Sequence, residues 1–274
     1  MPELPEVETT RRLIHPLVVG RTVTDVSVTR DRMLRRQEQQ SDFTARLVGR
    51  RIEGTGRHGK RLLILLDGDL VWLVHLGMSG RLTVAGPDDE IPAHTHVRVA
   101  LDEGLELRFI DPRTFGYTMV ATQEELDTLA VHGPDAWSDP PSVTELSDRL
   151  QNRTAPIKAL LLDQGIIAGV GNIYADEALF TAGIGPHRPG GSLDDDELDR
   201  LLTALHDVLG AGIEAGGTTL DDLAYLLPDG RSGEYIAELS AYGREGEPCP
   251  RCGDEIRRDV VRSRSTFWSP GCQK

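Results

Sequence analysis

Apolar and polar residues alternate with a period of two through much of the first 120 positions. "RTVTDVSVTR", "RLLILLD", "LVWLVHLG", "RLTVAG", "HVRVALD" and "LELRFID" are short, β-branched-rich runs separated by Gly, Asp and Pro, and they read as strands. Their spacing predicts a sandwich or barrel. A helix precedes them over "EVETTRRLIHPLV". The pattern changes at "TQEELDTLA", where Thr122 is placed to cap a helix ahead of Glu124 and Glu125. Residues 132–142, "HGPDAWSDPPS", are polar and Pro-rich and mark a boundary. Beyond them "VTELSDRLQN", "PIKALLLDQ", "NIYADEALFTAG" and "DDDELDRLLTALHDVLGAGIEAG" carry helical spacing, which is lost again in the tail. The expectation is an α+β chain: a β-rich N-terminal domain, sandwich or barrel, over 1–131 with a leading helix, a linker over 132–142, a helical domain over 143–240 and a small terminal ribbon over 241–274.

Composition narrows the class. The longest apolar run, "LLILLDGDLVWLVHL", is cut by Asp67, Gly68 and Asp69, so no stretch approaches the ~20 residues of a membrane span. "MPELPEVETTRR" is acidic where a secretory signal would be basic and then apolar. Three cysteines, all near the end, make no disulfide framework, and a cytoplasmic location fits. The net charge of −14 argues against a nucleic-acid partner. Its distribution qualifies that reading. Of 30 basic residues, all are Arg except Lys60, Lys158 and Lys274. Arg gathers in "TRDRMLRR", "RRIEGTGRHGKR" and "RRDVVRSRS", while acids gather in "GPDDE" and "SLDDDELDR". Local Arg patches inside an acidic shell can still grip phosphate, because steering depends on the field at the patch. The Lys-poor, acid-rich composition points to a salt-adapted or high-GC host.

Four segments carry candidate chemistry. In "MPELPE", removal of Met1 would leave Pro2 as a secondary α-amine, more nucleophilic at neutral pH than a lysine and able to form an iminium, with Glu3 and Glu6 available to move protons. The same residues also serve as a rigid, acidic helix start. "IIAGVGNIYADEALF" is a Gly-rich turn with Asn172 at the expected N-cap, either a phosphate cradle or an ordinary helical hairpin. "HLGMSGR" and "DPRTFG" set Met78 and Phe115 on short loops, as core plugs or as wedges for a DNA stack, with Arg113 beside them. The tail reads Cys249-x2-Cys252-x16-Ser269-x2-Cys272, the register of a four-ligand zinc ribbon with one position altered.

Taken together and in this order, "MPELPEVETTRR", "HLGMSG", "DPRTFG", "PIKALLLDQ", "GVGNIYADEALF", "GGTTL" and the cysteine tail resemble the formamidopyrimidine-DNA glycosylase family over essentially the whole chain. The resemblance implies an N-terminal β-sandwich, a helix–two-turn–helix in the helical domain and a β-hairpin zinc-ribbon-like finger at the end. It implies a bifunctional glycosylase and abasic-site lyase of base excision repair, removing 8-oxoguanine and formamidopyrimidines from double-stranded DNA through a proline Schiff base and β,δ-elimination. Pro2 is then the nucleophile and Glu3 the general acid/base, with Glu6 supporting the pocket. Lys60 is the proton donor in β-elimination, and Arg264 acts in δ-elimination. Met78, Arg113 and Phe115 fill the gap left by the base; His94, Arg113, Arg153, Lys158 and Asn172 contact the DNA backbone. "LLPDGRSGEY" corresponds to the loop that closes over the damaged base. A monomer is expected.

Three features depart from the family pattern. Asp221 and Asp222 follow "GGTTL" where a basic residue is usual, the total charge is acidic, and Ser269 replaces a cysteine. Zinc is therefore left open: Cys249, Cys252 and Cys272 hold it with a weaker fourth donor, or the hairpin stands by packing alone. An endonuclease VIII-like enzyme for oxidised pyrimidines shares the Pro-Glu start. An idle lesion-binding protein is the alternative from another class.

Overall fold

The structure is a computed structural model that describes residues 2–37, 39–128, 132–219 and 225–274. The chain is α+β and divides into two compact units. The first holds residues 1–131 and 215–234, the second 132–214 and 235–274.

In the first unit, α1 (Leu4–Val18) opens at a reciprocal cap between Glu3 and Glu6. Leu4, Val7, Ile14 and Val18 recur near the helical period and are fully buried. Then come β1 (Val23–Val28), α2 (Gln40–Leu47), β2 (Ile52–His58), β3 (Arg61–Leu66), β4 (Leu70–His75), β5 (Arg81–Ala85), β6 (Thr95–Leu101), β7 (Glu106–Ile110), β8 (Tyr117–Thr122) and α3 (Gln123–Thr128). The strands form two four-stranded antiparallel sheets, ordered β1-β6-β7-β5 and β2-β3-β4-β8. Inward residues of both sheets, among them Leu62, Ile64, Trp72, Val74, Leu82, Val97, Val99, Leu107 and Phe109, share one core with α1 and α2, which makes the sandwich. Strand β4 is apolar on both faces because its outer residues Val71 and Leu73 are themselves covered, with Met119, Ala121 and Leu126. As the sequence suggested, the Thr122 hydroxyl caps α3, accepting from Glu125 N at 3.1 Å.

Residues 215–234 depart from the expected single helical domain over 143–240. They return to the first unit, where Thr218 pairs with Glu234 in an isolated bridge and Thr218 N donates to Glu6 Oε1 at 2.7 Å. Residues 132–142 are likewise packed structure within the second unit. Ala136 N donates to Ala168 O, Gly133 N to Gln164 O, and the Asp135 carboxylate accepts from Trp137 N and Ser138 N. A turn over 136–138, held by Asp135, occupies this segment rather than a tether.

The second unit comprises α4 (Val143–Leu150), α5 (Ile157–Leu161), α6 (Asn172–Ala182), α7 (Asp195–Glu214) and the antiparallel hairpin of β9 (Arg257–Val261) and β10 (Arg264–Trp268). Ser142 and Glu145 form a capping box at α4, and Gly183 ends α6 at φ 73. Arg262 and Ser263 make the two-residue hairpin turn with φ of 49 and 60, the backbone of a type I′ turn.

Candidate active site

The N-terminal chemistry is set by the first helix. Pro2, Glu3 and Glu6 are all buried. Glu6 Oε2 accepts from Glu3 N at 2.7 Å and Oε1 from Thr218 N at 2.7 Å, while Tyr225 donates its hydroxyl to Glu6 O at 3.2 Å. Burial, with the Glu6 charge beside it, drives the Tyr225 phenol well above its usual range, so it stays a donor. "GGTT" docks here for a steric reason. A side chain on Gly217, at φ +84, would bring its Cβ to 2.7 Å of Glu6 Oε1. Glu6 therefore fixes the chain start from both sides and holds Glu3 beside Pro2.

Lys60 sits in the two-residue turn between β2 and β3, with Gly59 at φ +55. Arg57, only 3% exposed, donates to Gly59 O at 3.0 Å and pairs with Glu8 at 3.3 Å. Glu8 also pairs with Arg11 and Arg12. Burial opposes the charge on Glu8, but hydrogen bonds from Arg11 and Arg12 outweigh it and hold the carboxyl below its usual range. Thus α1 carries both the buried carboxyls at its start and the anchor of the Lys60 turn.

The two glycine loops pack backbone to backbone. A Cβ at Gly77 would lie 2.4 Å from Gly116 N, and one at Gly80 would lie 2.1 Å from Leu76 O. Buried Asp111 ties them together, accepting from Ser79 Oγ at 2.6 Å and Gly116 N at 2.7 Å. Arg113 N donates to Ser79 Oγ at 3.2 Å, and its guanidinium lies over the Phe115 ring at 5.1 Å. Phe115 is 43% exposed, which is unusual for a ring on so rigid a loop. Met78 is half-buried. His94 is exposed at φ 64, with its ring 6.2 Å from that of His96.

In the second unit the predicted residues separate into exposed and buried groups. Arg153 and Arg264 are exposed, the latter as the first residue of β10. Asn172 is the first residue of α6, with Gly171 as the cap, and its side-chain Nδ2 donates to Ser265 O at 3.0 Å. Lys158 corrects the expectation of a surface phosphate contact. It is 0% exposed; Nζ pairs with Asp176 at 2.7 Å and donates to Ser265 O at 2.7 Å and Thr266 Oγ1 at 3.0 Å. Through this ion pair and these two hydrogen bonds, Lys158 ties α5 and α6 to β10. Phe267 N donates to the other Asp176 oxygen at 3.0 Å. Burial pushes the Asp176 carboxyl up to about 7 against the pull of Lys158. Neighbouring Glu177 accepts from the backbone N–H groups of Ser240, Ala241 and Tyr242, and burial raises it too.

At the tail, Cys249, Cys252 and Cys272 place their sulfurs within 4.8 Å of one another. Cys249 and Cys272 are 3.7 Å apart, and Cys252 Sγ lies 3.3 Å from the Ser269 hydroxyl. A tetrahedral Zn–S site has edges of about 3.8 Å, so the spacing fits a zinc ion. Ser269 is fully buried, and its N–H donates to Gln273 Oε1 at 2.8 Å. Burial works against the Cys249 thiolate, but bonds from Ser269 and Arg251 N bring that thiol down to about 6.

Sequence reading missed the supporting residues Glu8, Arg32, Arg35, Arg57, Asp111, Asp176 and Glu177. Glu8, Asp111, Asp176 and Glu177 lie inside segments that drew attention for other residues, and Arg32, Arg35 and Arg57 lie in Arg patches read as grips on phosphate; only their partners elsewhere in the chain reveal their part. Asp221, Asp222 and the end of "GGTTL" lie outside the described residues. Tyr235, which ends "LLPDGRSGEY", is buried and stacks on Tyr174 at 5.4 Å. Among the described residues, no helix is long and apolar enough to cross a membrane.

Comparison with known proteins agrees along the whole length. Residues 1–118 match the formamidopyrimidine-DNA glycosylase N-terminal domain, 132–223 its H2TH domain, and 246–274 a zinc finger found in FPG and IleRS. Formamidopyrimidine-DNA glycosylase of Geobacillus kaustophilus is 42% identical over 277 residues, covering 100% of both chains. That of Chloroflexus aurantiacus is 44% identical, covering 100% of this chain and 98% of the relative. The crystal structure of the MutM (Fpg) protein from Thermus thermophilus superposes with a TM-score of 0.88 at 44% identity, covering 99% of this chain and 98% of that one. Lactococcus lactis Fpg in complex with DNA containing Fapy-dG gives 0.89 at 30% identity, covering 99% and 100%. The chain belongs to the formamidopyrimidine-DNA glycosylase family of base-excision-repair DNA glycosylases.

Proposed function

We propose that this protein excises oxidised purines, 8-oxoguanine and formamidopyrimidines, from double-stranded DNA and then cleaves the strand as an abasic-site lyase. The observation that carries the reading is the chain start, where Pro2, Glu3 and Glu6 are buried together, Thr218 and Tyr225 fix Glu6, and the Glu6 carboxylate accepts from Glu3 N. With Met1 removed, the Pro2 nitrogen attacks C1′ of the damaged nucleoside. The C1′–N9 bond breaks, its electron pair leaves with the base, and Glu3 moves the protons that base loss and ring opening require. The iminium acidifies the C2′ hydrogens, so the 3′ phosphate leaves by β-elimination and the 5′ phosphate by δ-elimination. Lys60 and Arg264 assist these two steps. Met78, Arg113 and Phe115 fill the stack, while His94, Arg153 and Asn172 hold phosphates. Such contacts place the duplex without reading its sequence, and binding weakens with salt. The solved complexes of Lactococcus lactis Fpg with Fapy-dG and abasic-site DNA support the substrate class.

Borohydride trapping tests this. The wild-type protein is expected to form a covalent adduct on duplex DNA carrying 8-oxoguanine opposite cytosine. Pro2→Gly is expected to lose it, and thymine glycol is expected to be processed more weakly. No adduct from the wild type would overturn the enzyme reading, and a preference for thymine glycol would favour the pyrimidine-specific one.

We further propose that the protein acts as a monomer in the cytoplasm and that Cys249, Cys252 and Cys272 hold zinc, with Ser269 at the fourth position. When bound, the ion ties the start of the finger to its end. Metal analysis is expected to find about one zinc per chain, and Ser269→Cys is expected to slow its removal by a chelator. A wild type without zinc that keeps its fold would sink this part alone.

A further inference from the structure

The loop carrying Arg113 and Phe115 is gripped from outside by a second, independent set of bonds. Arg35 donates through Nη2 to Phe115 O at 2.6 Å and through Nη1 to Gly116 O, and Arg32 Nε donates to Thr114 O at 3.2 Å. Three consecutive carbonyls thus face the same arginine pair. Successive carbonyls of an extended chain point opposite ways. Here Thr114 adopts φ 53, a left-handed conformation that a β-branched residue rarely takes, and it turns the loop so that all three carbonyls can be bonded.

The clamp is itself immobilised. Met33 and Leu34, between the two arginines, are buried in the sandwich core. Arg35 also donates to Arg32 O at 3.0 Å and lies over the Tyr117 ring at 5.2 Å, and Tyr117 stacks on His75 with ring centroids 5.0 Å apart. "RDRMLRR" therefore alternates between plugs into the core and grips on the loop. On the loop's other side Asp111 holds Ser79 Oγ and Gly116 N. Side-chain donors fix the carbonyls and a side-chain acceptor fixes an amide, leaving the Phe115 ring 43% exposed on a mount with little freedom.

We propose that Arg35, assisted by Arg32, is a positioning residue for base extrusion: it holds residues 114–116 in the strained shape that presents Arg113 and Phe115 as a ready wedge. The inference rests on the proposed glycosylase reading. A wedge that must enter the stack loses less ordering entropy if its loop is already fixed. Arg35 acts through the loop, so its loss is felt where a base must be pushed out and not where the base is already gone.

The test compares two DNA duplexes, one with 8-oxoguanine and one with a preformed abasic site. Arg35→Met is expected to lower kcat for excision about tenfold, leave KM nearly unchanged, and alter abasic-site cleavage less than about twofold. Amides 114–117 of the free protein are expected to exchange with deuterium faster. Arg35→Lys keeps the charge but not the fork, so it is expected to rescue little. Arg32→Met removes one bond only and is expected to show a smaller loss of the same selectivity, which keeps the test informative if Arg35→Met folds poorly. Equal loss on both duplexes, or full rescue by Arg35→Lys with KM as the changed quantity, would overturn the proposal, because either means a global fold defect or a phosphate contact. If the wild type excises nothing, the glycosylase reading falls, and the exchange of amides 114–117 alone decides whether Arg35 holds the loop.

Discussion

Two buried carboxylate sites, one in each unit, are held in opposite ways. In the first, Glu8 meets three arginines, Arg11, Arg12 and Arg57, and is held below its usual titration range despite burial. In the second, Asp176 meets one ammonium and one backbone N–H, Glu177 meets only backbone N–H groups, and burial wins in both. The number and kind of donors decides the sign, because each desolvated charge must recover its lost hydration from fixed partners. The first unit holds its turn with groups that stay ionised. The second holds its hairpin with carboxyls that burial pushes towards the neutral form.

The largest effect expected from this difference is at Lys158. Lys158→Met removes one member of a fully buried pair and should cost about 3–5 kcal/mol, read from denaturant unfolding. Replacing both members, Lys158→Met with Asp176→Leu, is expected to cost much less, since no uncompensated charge remains. If the double variant is as unstable as the single one, the pair is not the organising element of the hairpin.

A middle-sized effect is a pH dependence of opposite sign. Glu8 has a depressed folded pKa, so its stabilisation is present above the ordinary carboxylate range and is lost as pH falls through and below it. Asp176 and Glu177 have raised folded pKa values. Their contribution is present below the ordinary range and is lost as pH rises, for Asp176 from 3.8 towards about 7. Unfolding followed through Trp72 in the first unit and Trp137 and Trp268 in the second reads the two separately. Glu8→Gln should flatten the acid limb, and Glu177→Gln part of the slope towards neutral pH. Parallel pH profiles for the two units would erase the contrast.

The smallest effect is at Thr114. Its left-handed backbone stores about 1–3 kcal/mol, part of which glycine would release at some cost in unfolded-state entropy. Thr114→Gly is expected to raise stability by about 1 kcal/mol, seen as a melting temperature a few degrees higher. A fall would mean that the side chain, and not the clamp, shapes the loop.

Much of this was legible in the sequence where the determinants are local. Alternation marks the strands, the Thr122 cap its helix, and cysteine spacing the tail with Ser269 in register. Partners far along the chain were not legible. Nothing near Lys158 announces that Ser265 and Thr266 will take its protons, and nothing in "TRDRMLRR" announces the carbonyls of Thr114 and Phe115 about 80 residues away. The sequence sets the cap of α6 at Asn172, one position late: Gly171 is the cap, and the Asn172 amide donates instead to Ser265, 93 residues away. The return of residues 215–234 to the first unit was hidden for the same reason: helical patterning reports a local period and not the neighbour that a segment packs against.

That return sets an order on biosynthesis. The chain passes from the first unit to the second and back before finishing in the second. Thr218, which secures Glu6, lies 212 residues downstream of it. As the polypeptide leaves the ribosome, the sandwich strands are available early, but the bonds that fix Glu6 cannot close until most of the second unit has been made. The amine end of the protein is thus among the first parts synthesised and among the last to reach its working shape.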